Sequence, residues 1–407
     1  MSAQHVFHRV RTAVRRPPTV TATVRSAIAP STTNEGWRRA LRLGAVAYVV
    51  SRICAIAGAA VVAAQVRVAD NVARDEALLN GEVYDKPVLP GGARLITNVF
   101  TSWDGRWYLE IVRHGYPRHV PPNITFDQLE ARTAFFPLYP SLVRILDPVI
   151  PGGDTIAALF VNLVLGAVVV ALTGWLARSW WGDKVAGRAM VLMAVFPASV
   201  VLTMAYSEAL LLALAAGCLL ALDRRRWVLA GTLAALATAA RPNGIALCAA
   251  CAVAAVIAIV QRREWRSLIA PLLSPIGFIT FQIWIGWHAH ERGVWGRVQR
   301  EAWDEGTSLG LTALRRSWRA FRHPLNSPTD LVTALSVLTM LALLGAMWRR
   351  RPPLPAVAYT AIVLALMLAP STVTARPRFL YTAFPLVLCF AAWWENSSWL
   401  QLSLIHI

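Results

Sequence analysis

A small set of charged residues lies where apolar sequence would otherwise exclude charge, and these are the residues that could do chemistry. Asp104 stands in Thr101-Ser-Trp-Asp-Gly-Arg-Trp-Tyr108, directly after an aromatic residue and before a glycine. A carboxylate placed there can stand at membrane level with backbone close by, and partial desolvation would raise its pKa toward the range in which it takes a proton. The same residue could instead cap a helix or pair with Arg106. Glu208, in Tyr206-Ser-Glu208, is the one carboxylate between Lys184 and Leu222. An acid at that depth is costly unless it is paired or used, so it reads either as a functional group, catalytic or orienting Arg241 or another basic group, or as half of a purely structural pair.

The cations tell a similar story. Arg241-Pro-Asn-Gly244 interrupts an alanine-rich apolar run at a credible tight turn, and Arg241 with Asn243 could grip a phosphate or the arginine could simply snorkel. Arg376-Pro-Arg-Phe-Leu-Tyr381 precedes the last apolar run. There Arg378 is the preferred phosphate ligand, with headgroup anchoring as the alternative, and Arg376 and Tyr381 accompany it. Arg52 lies midway along the first apolar run, too deep for easy snorkelling; it could line a phosphate route or balance Glu208. Beside Asp104, the residues Trp103, Arg106, Tyr108 and His114 complete the binding candidates.

Other chemistries find no seat. Cys54, Cys218, Cys248, Cys251 and Cys389 all fall in apolar runs without histidines at zinc spacing. His288 and His290 mark a wet helix end, and no carboxylate cluster calls for a metal, so neither metal nor cofactor is expected. No Gly-rich phosphate loop or dinucleotide fingerprint occurs. The tryptophans of 288 to 328 read as amphipathic cover rather than as sugar-stacking platforms.

The elements that must position these residues follow from composition. Of 407 residues 56% are hydrophobic and 15% charged, against roughly 25% charged in soluble chains. Length would allow two or three soluble domains, but the apolar runs argue for one bundle of membrane-spanning helices. The formal net charge of +18 does not imply nucleic acid, because the arginines are spread between apolar runs as anchors against anionic lipid. Apolar segments fall at about 43 to 66, 155 to 177, 187 to 206, 208 to 222, 228 to 241, 243 to 260, 268 to 287, 329 to 347, 355 to 370 and 379 to 394. Several are shorter than the roughly 20 residues that cross a bilayer.

Alternate turns are basic: Arg178, Lys184 and Arg188; Arg224 to Arg226; Arg262, Arg263 and Arg266; Arg349 to Arg351. The expectation is therefore an all-α polytopic bundle of about ten spans in the plasma membrane, with both termini cytoplasmic. Residues 1 to 42 read as a basic disordered tail, 43 to 394 as the membrane domain and 395 to 407 as a C-terminal tail. Segments 67 to 154 and 288 to 328 then face outward, the first carrying amphipathic helices, and Trp103, Trp107 and Ile111 share a side turned toward lipid.

Together, Trp103-Asp104 with Gly115-Tyr116, Phe-Phe-Pro-Leu-Tyr-Pro at 135 to 140, Pro197-Ala-Ser with Tyr206-Ser-Glu208, Arg241-Pro-Asn-Gly244 and Arg378-Phe-Leu-Tyr381 resemble the PIG-V-type mannosyltransferases, integral-membrane members of the GT-C superfamily. The resemblance runs through residues 43 to 394. It implies a GT-C-like bundle, a polyprenyl-phosphate sugar donor used on the non-cytoplasmic face, transfer with inversion, and the family's functional aspartate at Asp104. Ala240 stands where the family usually has a hydroxyl residue, which removes one donor contact. Mannose is favoured by resemblance only. The alanine- and arginine-rich composition suggests an actinobacterial source, and the acceptor, a glycolipid or a cell-envelope glycan, stays open.

An acceptor hydroxyl attacking an anomeric carbon needs one base, and the departing lipid phosphate needs cations but no general acid. Two other classes remain: a transporter or flippase of lipid-linked sugars, for which no inverted repeat is evident, and a non-catalytic scaffold in envelope assembly.

Overall fold

The computed structural model describes residues 33–80, 83, 87–372 and 374–394. Most of the expected basic tail and all of 395 to 407 lie outside the described residues. What is described is helical, and no strand exceeds an isolated bridge between Thr307 and Pro370. The first helix, α1 (Thr33–Leu79), starts inside the segment read as tail and overruns the expected end of the first span. Residues 67–79 contain neither glycine nor proline, and Asp70 and Arg74 pair one turn apart at 3.4 Å, so nothing stops the helix. At 1.5 Å per residue its 47 residues reach roughly 70 Å, about twice a bilayer core.

The first long segment then holds α2 (Gly92–Phe100), α3 (Asp104–His114), a 3-10 turn (Leu129–Ala134) and α4 (Leu138–Leu146). The central bundle follows as α5 (Gly153–Trp181), α6 (Asp183–Val195), α7 (Glu208–Asp223), α8 (Trp227–Ala240), α9 (Ala246–Arg262), α10 (Ile269–Leu273) and α11 (Ile276–His288). The second long segment carries α12 (Val294–Trp303) and α13 (Leu311–Arg322). The chain closes with α14 (Pro328–Arg350), α15 (Leu354–Leu368), α16 (Pro377–Thr382) and α17 (Pro385–Trp394).

The all-α, multi-pass bundle stands, but the count of about ten spans is corrected. Among the described residues five helices are long and apolar enough to cross a membrane: Glu35–Leu79, Gly153–Trp181, Pro242–Arg262, Trp265–His288 and Pro328–Arg350. The other apolar segments are helical but short, with 13 residues in α6, 16 in α7, 14 in α8, 15 in α15 and 10 in α17. The longest of these reaches about 24 Å of a roughly 30 Å core. Proline is the main cause: Pro197 opens a 3-10 turn just after α6, Pro242 another just after α8, and Pro377 and Pro385 divide the last run. Irregular backbone at such depth is tolerated where protein, not lipid, surrounds it.

The shared core is built from small residues. Ala189, Ala215, Ala216, Ala234 and Ala250 are fully buried, while Val46, Ile53, Leu272 and Leu341 stand exposed on the outside of the bundle, the inversion expected of a chain solvated by lipid. Close approach is strictest at Gly277, where a Cβ would overlap the Ala235 carbonyl oxygen of α8, and at Gly244, where it would overlap that of Ala237. Thr238 ties the same place together by donating to the Ser274 carbonyl at 2.9 Å.

Candidate active site

The junctions left short by those prolines meet at one point. Glu208 opens α7, Arg241 ends α8, Arg378 lies in α16, and Asp104 is the first residue of α3. Asp104 is aimed by an unusual backbone. Trp103, a bulky non-glycine residue, holds φ 54° and ψ −117° and turns the chain from α2 into α3. Such a conformation costs on the order of 1–3 kcal/mol and persists only where its surroundings impose it. The Trp103 ring is 75% exposed, so it is the backbone of this residue, not its side chain, that serves the site.

Asp104 Oδ2 accepts from Arg378 Nη1 at 2.6 Å and lies 3.6 Å from Arg241 Nη2. Arg241 Nη1 lies 2.7 Å from Glu208 Oε2, and Arg378 Nη1 lies 3.9 Å from Glu208 Oε1. Glu208 is fully buried, yet neither of its oxygens receives an aligned N–H or O–H, so charge alone holds it. Ser207 links the cluster to α3: Arg241 Nη1 donates to its Oγ at 3.2 Å, and the Tyr108 hydroxyl bonds the same oxygen at 2.5 Å. The Arg378 guanidinium also lies over the rings of Phe379 and Tyr206, at 4.8 and 5.6 Å.

The expected rise of the Asp104 pKa is corrected. Burial does push its carboxyl up, but Arg378 and Arg241 overcome burial and hold it below the usual carboxylate range. Asp104 is thus ionised and guarded. Arg376 is exposed and makes no ion pair among the described residues; burial of part of its chain, then the like charges of Arg378 and Arg316, lower its pKa.

Asp104, Tyr108, Arg241, Asn243 and Arg378 line a cavity of about 370 Å³. Another part of its wall comes from the second long segment, through Trp295, Gln299, Trp303 and Glu305, and from Phe135 and Phe136. The reading of those tryptophans as mere cover missed this wall, whose only sequence signal is a Trp-x-Glu on a segment facing the same way as Asp104. Trp107 and Ile111 are buried, correcting the lipid-facing side assigned to α3; Trp107 stacks on Phe135 at 6.2 Å and meets Trp303 edge-on at 6.5 Å.

The remaining candidates are not brought to the cavity. Arg52 Nη1 donates to the Ser199 carbonyl at 2.8 Å and to Thr203 Oγ1 at 2.6 Å, its Nη2 reaches the Ala194 carbonyl at 3.3 Å, and no carboxylate among the described residues pairs with it. Tyr381 points the other way, donating to the Met193 carbonyl at 2.5 Å. Arg106 lies over Trp107 and lines a separate polar pocket on the far side of α3, and His114 pairs with Glu110 at 3.0 Å. Among the described residues no group of three or more His, Cys, Asp or Glu side chains could hold a metal ion. Cys218 and Cys251 approach to 3.9 Å as free thiols in the core.

Residues 92–281, which contain Asp104, Glu208 and Arg241, match the family described as Mannosyltransferase (PIG-V). No curated protein matches the chain. Among solved structures it is similar to ArnT from Cupriavidus metallidurans bound to undecaprenyl phosphate, at 15% identity and a TM-score of 0.48, over 72% of this chain. The chain spans about half of that protein, 54% of its length. Nothing in these matches bears on an actinobacterial source. Over residues 92–281 the chain is similar to the PIG-V-type mannosyltransferases, and that similarity supports classing it with the glycosyltransferases.

Proposed function

We propose that this chain moves a sugar, mannose by its family, from a polyprenyl-phosphate donor to a lipid or envelope-glycan acceptor on the non-cytoplasmic side, with inversion. The observation that carries the reading is one aspartate and two arginines converging on an aromatic-walled cavity at the broken ends of membrane helices. The four basic turns support the orientation, since none lies in the segments that form the cavity.

The acceptor hydroxyl attacks the anomeric carbon, Asp104 takes its proton, and the bond from that carbon to the phosphate oxygen breaks. Inversion requires hydroxyl and phosphate on opposite faces of the carbon. Arg378 meets Asp104 through Nη1 alone, which leaves its Nε and Nη2 for the phosphate, and Glu208 steadies Arg241 from behind. As phosphate draws the guanidiniums, Asp104 loses the pairing that holds its pKa down while remaining buried, and it becomes a stronger base when substrate is present.

The test is transfer of labelled mannose from polyprenyl-phosphate mannose to an envelope lipid extract by the purified chain. Labelled product is expected only with the sugar-bearing lipid. A donor lipid merely carried across reconstituted vesicles, with no product, would replace the transferase by the flippase.

A further inference from the structure

The stretch joining α12 to α13 is laced to the loop that leads into Arg376. Thr372 Oγ1 donates to the Asp304 carbonyl at 2.8 Å, Ser371 N to the Gly306 carbonyl at 2.9 Å, Gly306 N to Ser371 Oγ at 2.9 Å, and Ser308 N to the Ala369 carbonyl at 2.7 Å. Asp304, at φ 47°, turns the backbone in the middle of this lacing, and the side chain that follows, Glu305, lines the cavity. Glu305 Oε1 accepts from Thr372 N at 3.1 Å, and no cation pairs with Glu305 among the described residues. Its second oxygen is left for a ligand. Next to it Trp303 is fixed edge-on against Phe135 at 5.8 Å.

The cavity is therefore divided by chemistry. One wall bears the two guanidiniums and their guarded aspartate; the other bears an acceptor-only carboxylate beside an indole, with no cation of its own. A phosphate suits the first wall and is repelled by the second. A pyranose suits the second, because its hydroxyls donate to a carboxylate and its C–H face packs on an aromatic ring.

Resting on the donor reading above, we propose that Glu305 and Trp303 form the subsite for the transferred sugar: Glu305 accepts hydrogen bonds from its hydroxyls, Trp303 covers its apolar face, and the pair selects a neutral hexose. Both are specificity residues and neither takes the proton, which is left to Asp104 beside the phosphate-binding arginines.

The experiment measures binding of polyprenyl phosphate and of polyprenyl-phosphate mannose to the detergent-purified full chain, alongside kcat and KM. Glu305→Gln keeps the shape and an acceptor for Thr372 N while removing charge. It should weaken the mannosyl lipid about tenfold, leave the bare lipid bound as tightly or more tightly, and act on KM rather than kcat. Trp303→Leu should give the same split. Equal weakening of both lipids would make Glu305 a clasp for the loop and overturn the proposal, as would intact binding with lost turnover, the mark of a proton-transfer role, or no change at all. If the unaltered chain bound neither lipid, the donor reading would fall and take this inference with it.

Discussion

Two arginine sites in this molecule are both largely buried, yet they are answered by opposite kinds of partner. Arg52 spends its donors on carbonyls and hydroxyls at the end of α6 and in the turn after it, so the cation is answered by fixed dipoles. Arg241 and Arg378 are held by carboxylates that line or back a cavity, and a carboxylate partner can be exchanged for a phosphate. A buried arginine answered by backbone is suited to clamp structure; one answered by an acid beside open space is suited to take an anion.

The sharpest way to break that distinction is to remove the acid. Asp104→Asn keeps size but not basicity, and turnover should fall by roughly 10²-fold or more. Affinity for the bare phosphate lipid should hold or rise, because the arginines lose a competitor. Near-normal turnover would move the base to Glu208 or Glu305. Next in size, Arg378→Ala and Arg241→Ala should each weaken the phosphate lipid by about 10- to 150-fold, the worth of one charge-assisted hydrogen bond, while Arg351→Ala in a basic turn changes nothing. Equal binding by all three would erase the difference between site and anchor.

Arg52→Met sharpens the other side. It removes the donors to the Ser199 carbonyl and Thr203 Oγ1 and should cost about 2 kcal/mol of stability, read as a lowered unfolding midpoint, with unchanged lipid affinity in the folded fraction. A selective loss of binding would make Arg52 part of the phosphate route after all.

The smallest effect lies in pH. Because the Asp104 pKa is lowered in the empty site, its base form persists as pH falls, and the acid limb of kcat/KM should lie below the ordinary aspartate value of about 3.9. The stability the ion pair lends has the same sign: it is present above that value and lost as pH falls through the folded one. The acid limb of kcat, which reports the loaded site, should sit higher. Coincident limbs would mean that phosphate does not displace the carboxylate.

The charges at the site were legible because charge inside apolar sequence needs a reason, and Asp104, Glu208, Arg241 and Arg378 all drew notice on that ground. The same rule could not separate Arg52 from them, since a string of residues does not say whether a guanidinium meets a carbonyl or a carboxylate. Tyr381 misled for a related cause: its motif neighbour Arg378 turns to the cavity while the tyrosine donates to the Met193 carbonyl, a partner 188 residues away. The direction of the Asp104 shift was missed because burial is inferable from local sequence, whereas the arginine at 2.6 Å comes from 274 residues away. The bundle was readable from hydropathy, but proline-broken helices made its spans look more alike than they are.

Gly277 and Gly244 set α11 and the start of α9 against the backbone of α8 so closely that no side chain fits between. Helices in such contact cannot slide past or roll over one another, and Thr238 pins them further. The three therefore behave mechanically as a single plate, carrying Arg241 and Asn243 at its edge. The facing element, α12, is joined to the 120–136 segment by side-chain packing and hydrogen bonds such as Trp295 Nε1 to the Ala134 carbonyl, not by interlocked backbone, so motion that admits a bulky lipid head is left to that side.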